Sequence, residues 1–517
     1  MGPGPECPKF PVEQNAVTGA AGFGHTRTRV GNLKKSSLWL STAAALAVSI
    51  IVAGCGSTYY FAGRVLPPSG LVNRVLVAIQ NPGALARGSL QILDAHYDVR
   101  FKYDNPSVTF AVSGFAGALP ITIQNMPEEQ LGAVYAYGDG SFTTVDYQKE
   151  TAGAAQPGLS GLSSSVFITR NEYYVIAANQ ASHVITVLDH TVGVATALSL
   201  PGVYRVSVNP GGSVFIAFVQ NSNYAYYGLK LNNSQTLSFS GGPTTWPKAA
   251  VDCEPLNAPK WCLFQVQSPD NPDPLYKSSG FWYGAPLAFD RPVKAMFSAD
   301  GSTAYVLNCG PECGGKASSI SLLPTGPMIF EPNQQSGKFP VTGTIPNIPI
   351  PGGASNALID SSTMYVVGQQ LQADGLFTGN LTVVNLSNGT AGSPIGISDG
   401  QPGAMSRMIE ADDNTLWIGM QKCTNGERFA KGLPYGCLTM FNTSNDTVTK
   451  IEPFLGDATG IADCTGLHKV YVAEGGQVYI YTTTDGTSLN NFYVTVTGTA
   501  YDVAYMDGLS DANNTVY

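Results

Sequence analysis

The chain has 517 residues, a formal net charge of −9 and only 12% charged residues. An acidic chain with few basic groups repels phosphate polymers, which excludes nucleic acid as a partner class. Glycine (58 residues) and proline (34) are frequent. With abundant Ser, Thr, Asn and Tyr, they describe a β-rich extracellular protein with many tight turns.

Residues 1–29 are rich in Gly, Pro and Ala, contain Cys7 and have no apolar core, so Val30 reads as the better translation start. A basic stretch (Arg27, Arg29, Lys34, Lys35) precedes an uncharged run of 15 residues, Leu38 to Val52. That is short for a bilayer span. The run closes on Val52, Ala53, Gly54 and Cys55. Basic end, apolar run and small residues before a cysteine resemble a bacterial lipoprotein signal over residues 30–55. The resemblance implies a leader over residues 1–54, a lipid on Cys55 and a lipidated linker over residues 55–72. It places the protein in the bacterial cell envelope with the membrane as a partner. Gly56, rather than Asp, after the cysteine favours the outer membrane. Two or more acyl chains make a stable anchor where one does not. Residues 55–517 keep 22 Lys+Arg against 34 Asp+Glu, a net charge of −12.

From residue 73 the chain repeats itself. A turn followed by a short strand with an aromatic anchor recurs at Tyr135, Tyr174, Phe215, Tyr305, Tyr365, Trp417 and Tyr471. An eighth copy without the aromatic runs from Arg74 to Ala78. Each is followed by a β-rich strand, often closing on Asp or Asn, as at Asp94, Asp146, Asp189, Asn385 and Asn442. The anchors are 39, 41, 90, 60, 52 and 54 residues apart. Units of this size, with short strands and no helical periodicity, predict the blades of an all-β propeller over residues 73–508, with a tail over 509–517. The last segment, Ala500 to Tyr505, reads as an inner strand without outer ones, and the first unit lacks an inner strand. Pairing the two closes the ring and removes its open edges. Eight units result, or seven if residues 118–150 belong to a neighbour. The strand pairs at Tyr365-Val-Val and Leu381-Thr-Val-Val-Asn, and at Tyr471-Val-Ala and Val478-Tyr-Ile-Tyr, resemble the YVTN-type bacterial β-propeller repeat. That resemblance implies a fold, not an activity, because propellers host binders, scaffolds, lactonases and dehydrogenases alike.

Alternating strand direction separates the two faces of such a ring. One carries the short Asp-Gly turns. The other carries the loops between second and third strands, which lengthen at 308–317, 368–379 and 421–436. An insertion over residues 242–292 projects from that same side and holds Trp246, Trp261 and Trp282. Long loops on a rigid scaffold are where recognition resides, and aromatics with polar handles suit sugar or protein contacts. The candidate contacts to a protein or glycan are therefore Trp246, Trp282, Tyr283, Glu312, Gln370, Arg428 and Tyr435. The competing expectation is that the insertion's rings pack as a small core of their own.

Six cysteines form close sequence pairs, Cys253/Cys262, Cys309/Cys313 and Cys423/Cys437, which read as disulfides stapling loops in an oxidising compartment. Cys464 remains as a buried thiol. No metal or cofactor motif, phosphate loop or nucleophile elbow occurs. Histidines 96, 183, 190 and 468 are scattered. The expected function is thus a non-enzymatic binding or scaffold module. The alternative is a lactonase-like hydrolase with acids such as Glu254, Glu312 and Glu474 at the channel mouth.

Overall fold

The computed structural model describes residues 66–508 apart from 82–86, 103–104, 127–129, 160–162, 164, 170–172, 232–249, 254–259, 273–283, 326–344, 399–404, 422–436, 453–455 and 490–492. Among the described residues eight antiparallel sheets of three to five strands follow one another along the chain, giving an eight-bladed β-propeller, with a two-stranded ribbon, Gln267–Pro272 and Gly284–Pro286, between the fourth and fifth. Residues 120–152 form a blade of their own, which settles the count at eight.

In blade 1 the inner strand comes from the far end of the chain. Thr499–Tyr505 pairs with Arg74–Gln80, with Val75 opposite Tyr505 and Ala78 opposite Asp502. The inner strands of blades 2 to 8 are Pro120–Met126, Ser165–Ile168, Val203–Val208, Pro292–Phe297, Asn356–Asp360, Met405–Ala411 and Ala458–Cys464. All seven aromatic anchors fall on the second strands, from Leu131–Ala136 in blade 2 to Lys469–Glu474 in blade 8. The Asp-Gly turns work as expected. Asp300 accepts from Ser298 Oγ at 2.6 Å and from the Ser302 amide at 3.0 Å. These hydrogen bonds hold its carboxyl down at about 2.

The core lies between blades. Leu76, Ile92, Val134 and Tyr147 fill the space between blades 1 and 2, and Trp417, Phe441, Ile461 and Tyr481 that between blades 7 and 8. Val77, Tyr471, Ile480 and Val503 join blade 8 to blade 1. Each such aliphatic or aromatic side chain contributes about 1.5–3 kcal/mol when withdrawn from water, and a sheet has two faces to cover. A closed ring covers both for every blade.

Two segments differ from the sequence reading. Lys260–Gln265, inside the expected insertion, is the fourth strand of blade 4 and pairs with Ala225–Leu231. Trp261 is buried there, 5.2 Å from the Tyr174 ring and 5.8 Å from Phe215. Its indole completes the packing between blades 3 and 4, in the core of the ring rather than in a separate core under the insertion. Residues 368–379 are not an open loop either. Thr363–Leu371 and Phe377–Asn385 stay paired out to Leu371 opposite Phe377, leaving a tight turn. The glycines that suggest a loop have a packing role. A Cβ on Gly368 would stand 2.3 Å from the Gly353 carbonyl carbon, so two backbones touch there.

The seam is also bolted by charge. Arg74, 4% exposed, donates from Nη2 to Asp507 at 2.7 Å, from Nη1 to Glu150 at 2.8 Å and to the Tyr147 carbonyl at 2.7 Å. Its own amide donates to Asp507 at 2.8 Å. One side chain thus ties the first blade, the last residues of the ring and blade 2.

Candidate functional site

Long-loop positions come first. Cys309 and Cys313 are joined, S–S 2.03 Å, around a short 3-10 turn, Gly310–Cys313. Glu312, held in that turn, is buried and accepts the Gln369 amide at 2.8 Å. The staple of blade 5 is thereby linked to the long hairpin of blade 6. Gln370 follows at once and lines a shallow cleft of about 700 Å³ with Pro351, Gln372, Thr378 and Asn380. The structure therefore brings Glu312 close to Gln370 in the fold, Glu312 buried under the hairpin and Gln370 on the cleft. Cys253 and Cys262 are joined across two paired outer strands of blade 4. Cys437 is disulfide-bonded, and Cys464 is a buried free thiol. Cys55, Trp246, Trp282, Tyr283, Cys423, Arg428 and Tyr435 lie outside the described residues.

The acids considered for hydrolysis do not converge in what is described. Glu312 holds a backbone amide in blade 5. Glu474, fully buried in blade 8, accepts the Tyr481 hydroxyl at 2.9 Å. Glu254 lies outside the described residues. Among the described residues no group of three or more His, Cys, Asp or Glu side chains is placed to hold a metal ion.

A second set of residues was not visible in the sequence. Six of the eight inner strands carry the same irregularity near their first residues. The ladder skips Ile121, Tyr204, Val293, Ser406, Thr459 and Tyr501 in turn. A β-bulge re-aims the residue beside it. The residues that follow are Thr122, Arg205, Lys294, Arg407, Gly460 and Asp502. Blade 6 has no bulge, and Asn356 stands at the matching position, two residues before the partner of Tyr365 as Lys294 is before the partner of Tyr305. This end of the inner strands opens on the face of the long loops.

The residues of this layer meet across the channel. Arg407 of blade 7 reaches Asp502 of blade 1 at 3.1 Å and the Thr459 carbonyl of blade 8 at 2.9 Å. Gly460 makes room for that pair, since a Cβ there would stand 2.4 Å from Asp502 Oδ1. Asp502 also accepts the Ile123 amide of blade 2 at 2.8 Å. Burial pushes its carboxyl up, opposed by the Arg407 charge. Lys294 donates to Asn356 Oδ1 at 2.7 Å. Its side chain is half-buried by exposed area yet surrounded by protein, as befits the wall of a narrow channel. Burial, reinforced by Arg205 and Arg407, pushes its ammonium down to about 7. Arg205 lies against the Tyr204 ring, 5.5 Å from its centroid, and has no ion pair among the described residues. Tyr204 is pushed up to about 12 by burial, with the Glu312 carboxylate acting in the same direction.

No protein-family model and no curated protein matches the chain. Solved structures match at the level of fold. A hydrazine synthase of Kuenenia stuttgartiensis is 12% identical over 71% of this chain and 96% of that one, with a TM-score of 0.44. The dihydro-heme d1 dehydrogenase NirN is 11% identical over 84% and 75%, with a TM-score of 0.49. A periplasmic gluconolactonase of Pseudomonas aeruginosa is 14% identical over 84% and 98%, with a TM-score of 0.39. All three likenesses concern the β-propeller fold alone.

Proposed function

We propose that this chain is a lipid-anchored envelope propeller that binds a protein or glycan through the long-loop face of blades 5 to 7, without hydrolysing it. The observation that carries the reading is the construction of that face. The Cys309–Cys313 staple, the Glu312 bond to Gln369 and the extended hairpin of blade 6 form one pinned surface on a rigid ring. Recognition gains from such preorganisation because less entropy is lost on binding. The described acids suited to hydrolysis, Glu312 and Glu474, hold local bonds in different blades instead. The export signal and Cys55 supply the anchor and the outer-membrane location.

Two experiments test the proposal. Labelled fatty acid fed to expressing cells should enter the protein, and Cys55→Ala should abolish that labelling; an unlabelled wild type contradicts the anchor. Removing residues 421–436 should abolish partner capture on intact envelopes while the melting temperature stays within a few degrees. Undiminished capture contradicts the face.

A further inference from the structure

We infer that the mouth of the central channel is a binding site for a small dianion carrying oxyanion oxygens, held by Arg205, Lys294 and Arg407 with Asn356 beside them. This inference goes beyond partner binding by the loops and does not depend on it.

The chain is acidic overall, at −9, yet three inner strands place a cation at the same step of the same layer. Among the described residues Asp502 is the carboxylate that pairs with one of them, and it is spent on Arg407 and on the Ile123 amide. Two positive charges are left over. An ammonium has three hydrogens to donate, and among the described residues Lys294 gives one to the neutral Asn356 and has no further acceptor. Arg205 has five N–H donors and no hydrogen bond or ion pair among the described residues. The strands that carry them are adjacent, since Ala295, next to Lys294, donates its amide to Ser207 Oγ at 3.1 Å. Burying charge without a partner destabilises a fold, and apolar residues at these positions would avoid it. A compact ligand with two negative charges neutralises the excess and accepts the idle donors, and fork-shaped guanidiniums suit oxyanion oxygens. A phosphate monoester and a short dicarboxylate share this chemistry.

The lysine adds a signature. The groups acting on it are Arg205 from blade 4, Asn356 from blade 6 and Arg407 from blade 7, with Asp502 beyond Arg407 and with Tyr204 and Glu312 beyond Arg205. With its ammonium at about 7, Lys294 is largely unprotonated at pH 8. A dianion favours the charged form, so binding takes up a proton.

Isothermal titration of the purified chain with sodium phosphate and, separately, sodium succinate tests this, with sodium chloride at matched ionic strength as control. The expected result at pH 6.5 is saturable one-to-one binding of at least one dianion, with none for chloride. Whichever dianion binds more tightly identifies the source. Affinity for succinate, a dianion throughout the range, should fall by at least about tenfold between pH 6.5 and 9. Lys294→Met and Arg205→Met should each weaken binding by about tenfold or more. Lys294→Arg should retain binding and lose its pH dependence, which keeps the test decisive if a methionine variant fails to fold. Absence of binding by both dianions at about 10 mM, or equal binding by the methionine variants, overturns the site. So does an unchanged pH profile in Lys294→Arg. None of these failures touches partner capture by the loops.

Discussion

The seam buries an arginine and the channel mouth leaves two half-buried, and the two regions treat them in opposite ways. At the seam, Arg74 meets two carboxylates and a carbonyl, and its own amide is paired as well. At the mouth, Arg205 and Lys294 meet no carboxylate among the described residues. A buried ion pair holds a fold together when every donor is satisfied. A half-buried cation left short of acceptors weakens the fold and waits for something to complete it. Within one ring, full pairing marks where the structure must stay shut, and short pairing marks where a ligand belongs.

Breaking the seam should have the largest effect. Arg74→Ala leaves Asp507 and Glu150 buried without their partner, and should destabilise by about 3–5 kcal/mol in urea denaturation. The opposite region should respond with the opposite sign. Lys294→Met should stabilise the free protein at pH 6 by about 1–4 kcal/mol in the same assay. The pH dependence follows from the lowered ammonium. The unfolded lysine keeps its proton to about 10.5 and the folded one sheds it at about 7. Between these values the unfolded state binds more protons, so stability rises with pH across that window and the penalty is complete below it. The gain in Lys294→Met should therefore shrink from pH 7 towards pH 10.

Smaller effects sharpen the picture. Opening the Cys309–Cys313 loop with a double serine substitution should cost about 2 kcal/mol by chain entropy, and should speed amide exchange at Gln369. Asp463, at the turn end of blade 8, has one buried oxygen without a hydrogen bond. Burial and Asp412 push its carboxyl up to about 7. Its stability contribution is thus present below about pH 4 and lost as pH rises to about 7. Asp463→Asn should raise the melting temperature at pH 8 by a few degrees and barely change it at pH 4.

Much of the ring is legible in the sequence because a blade repeats locally. The anchors from Tyr135 to Tyr471 recur beside turns, and the turn chemistry of Asp300 is visible within three residues. Even the seam can be read, since Ala500 to Tyr505 has a strand pattern with no partner nearby. The hairpin of blade 6 is hidden because Gly368, Gly375 and Gly379 look like a loop, while the reason for Gly368 is a contact with Gly353 of another segment. Trp261 reads as part of an insertion because its strand, Lys260–Gln265, lies far along the sequence from its partner strand, Ala225–Leu231. The cations are the least legible. Arg205, Lys294 and Arg407 are 89 and 113 residues apart. They precede Asn209, Asp300 and Asp412 by four, six and five residues. Uneven turns disguise a shared layer that only the bulges reveal.

Hydrogen–deuterium exchange with and without a saturating dianion compares the two regions in one measurement. The account predicts that residues 75–79 and 500–505 exchange only through global unfolding in both states, while 203–206, 292–295 and 405–408 slow when the dianion is added. Early exchange of the terminal strands, or inner strands indifferent to the ligand, would contradict it.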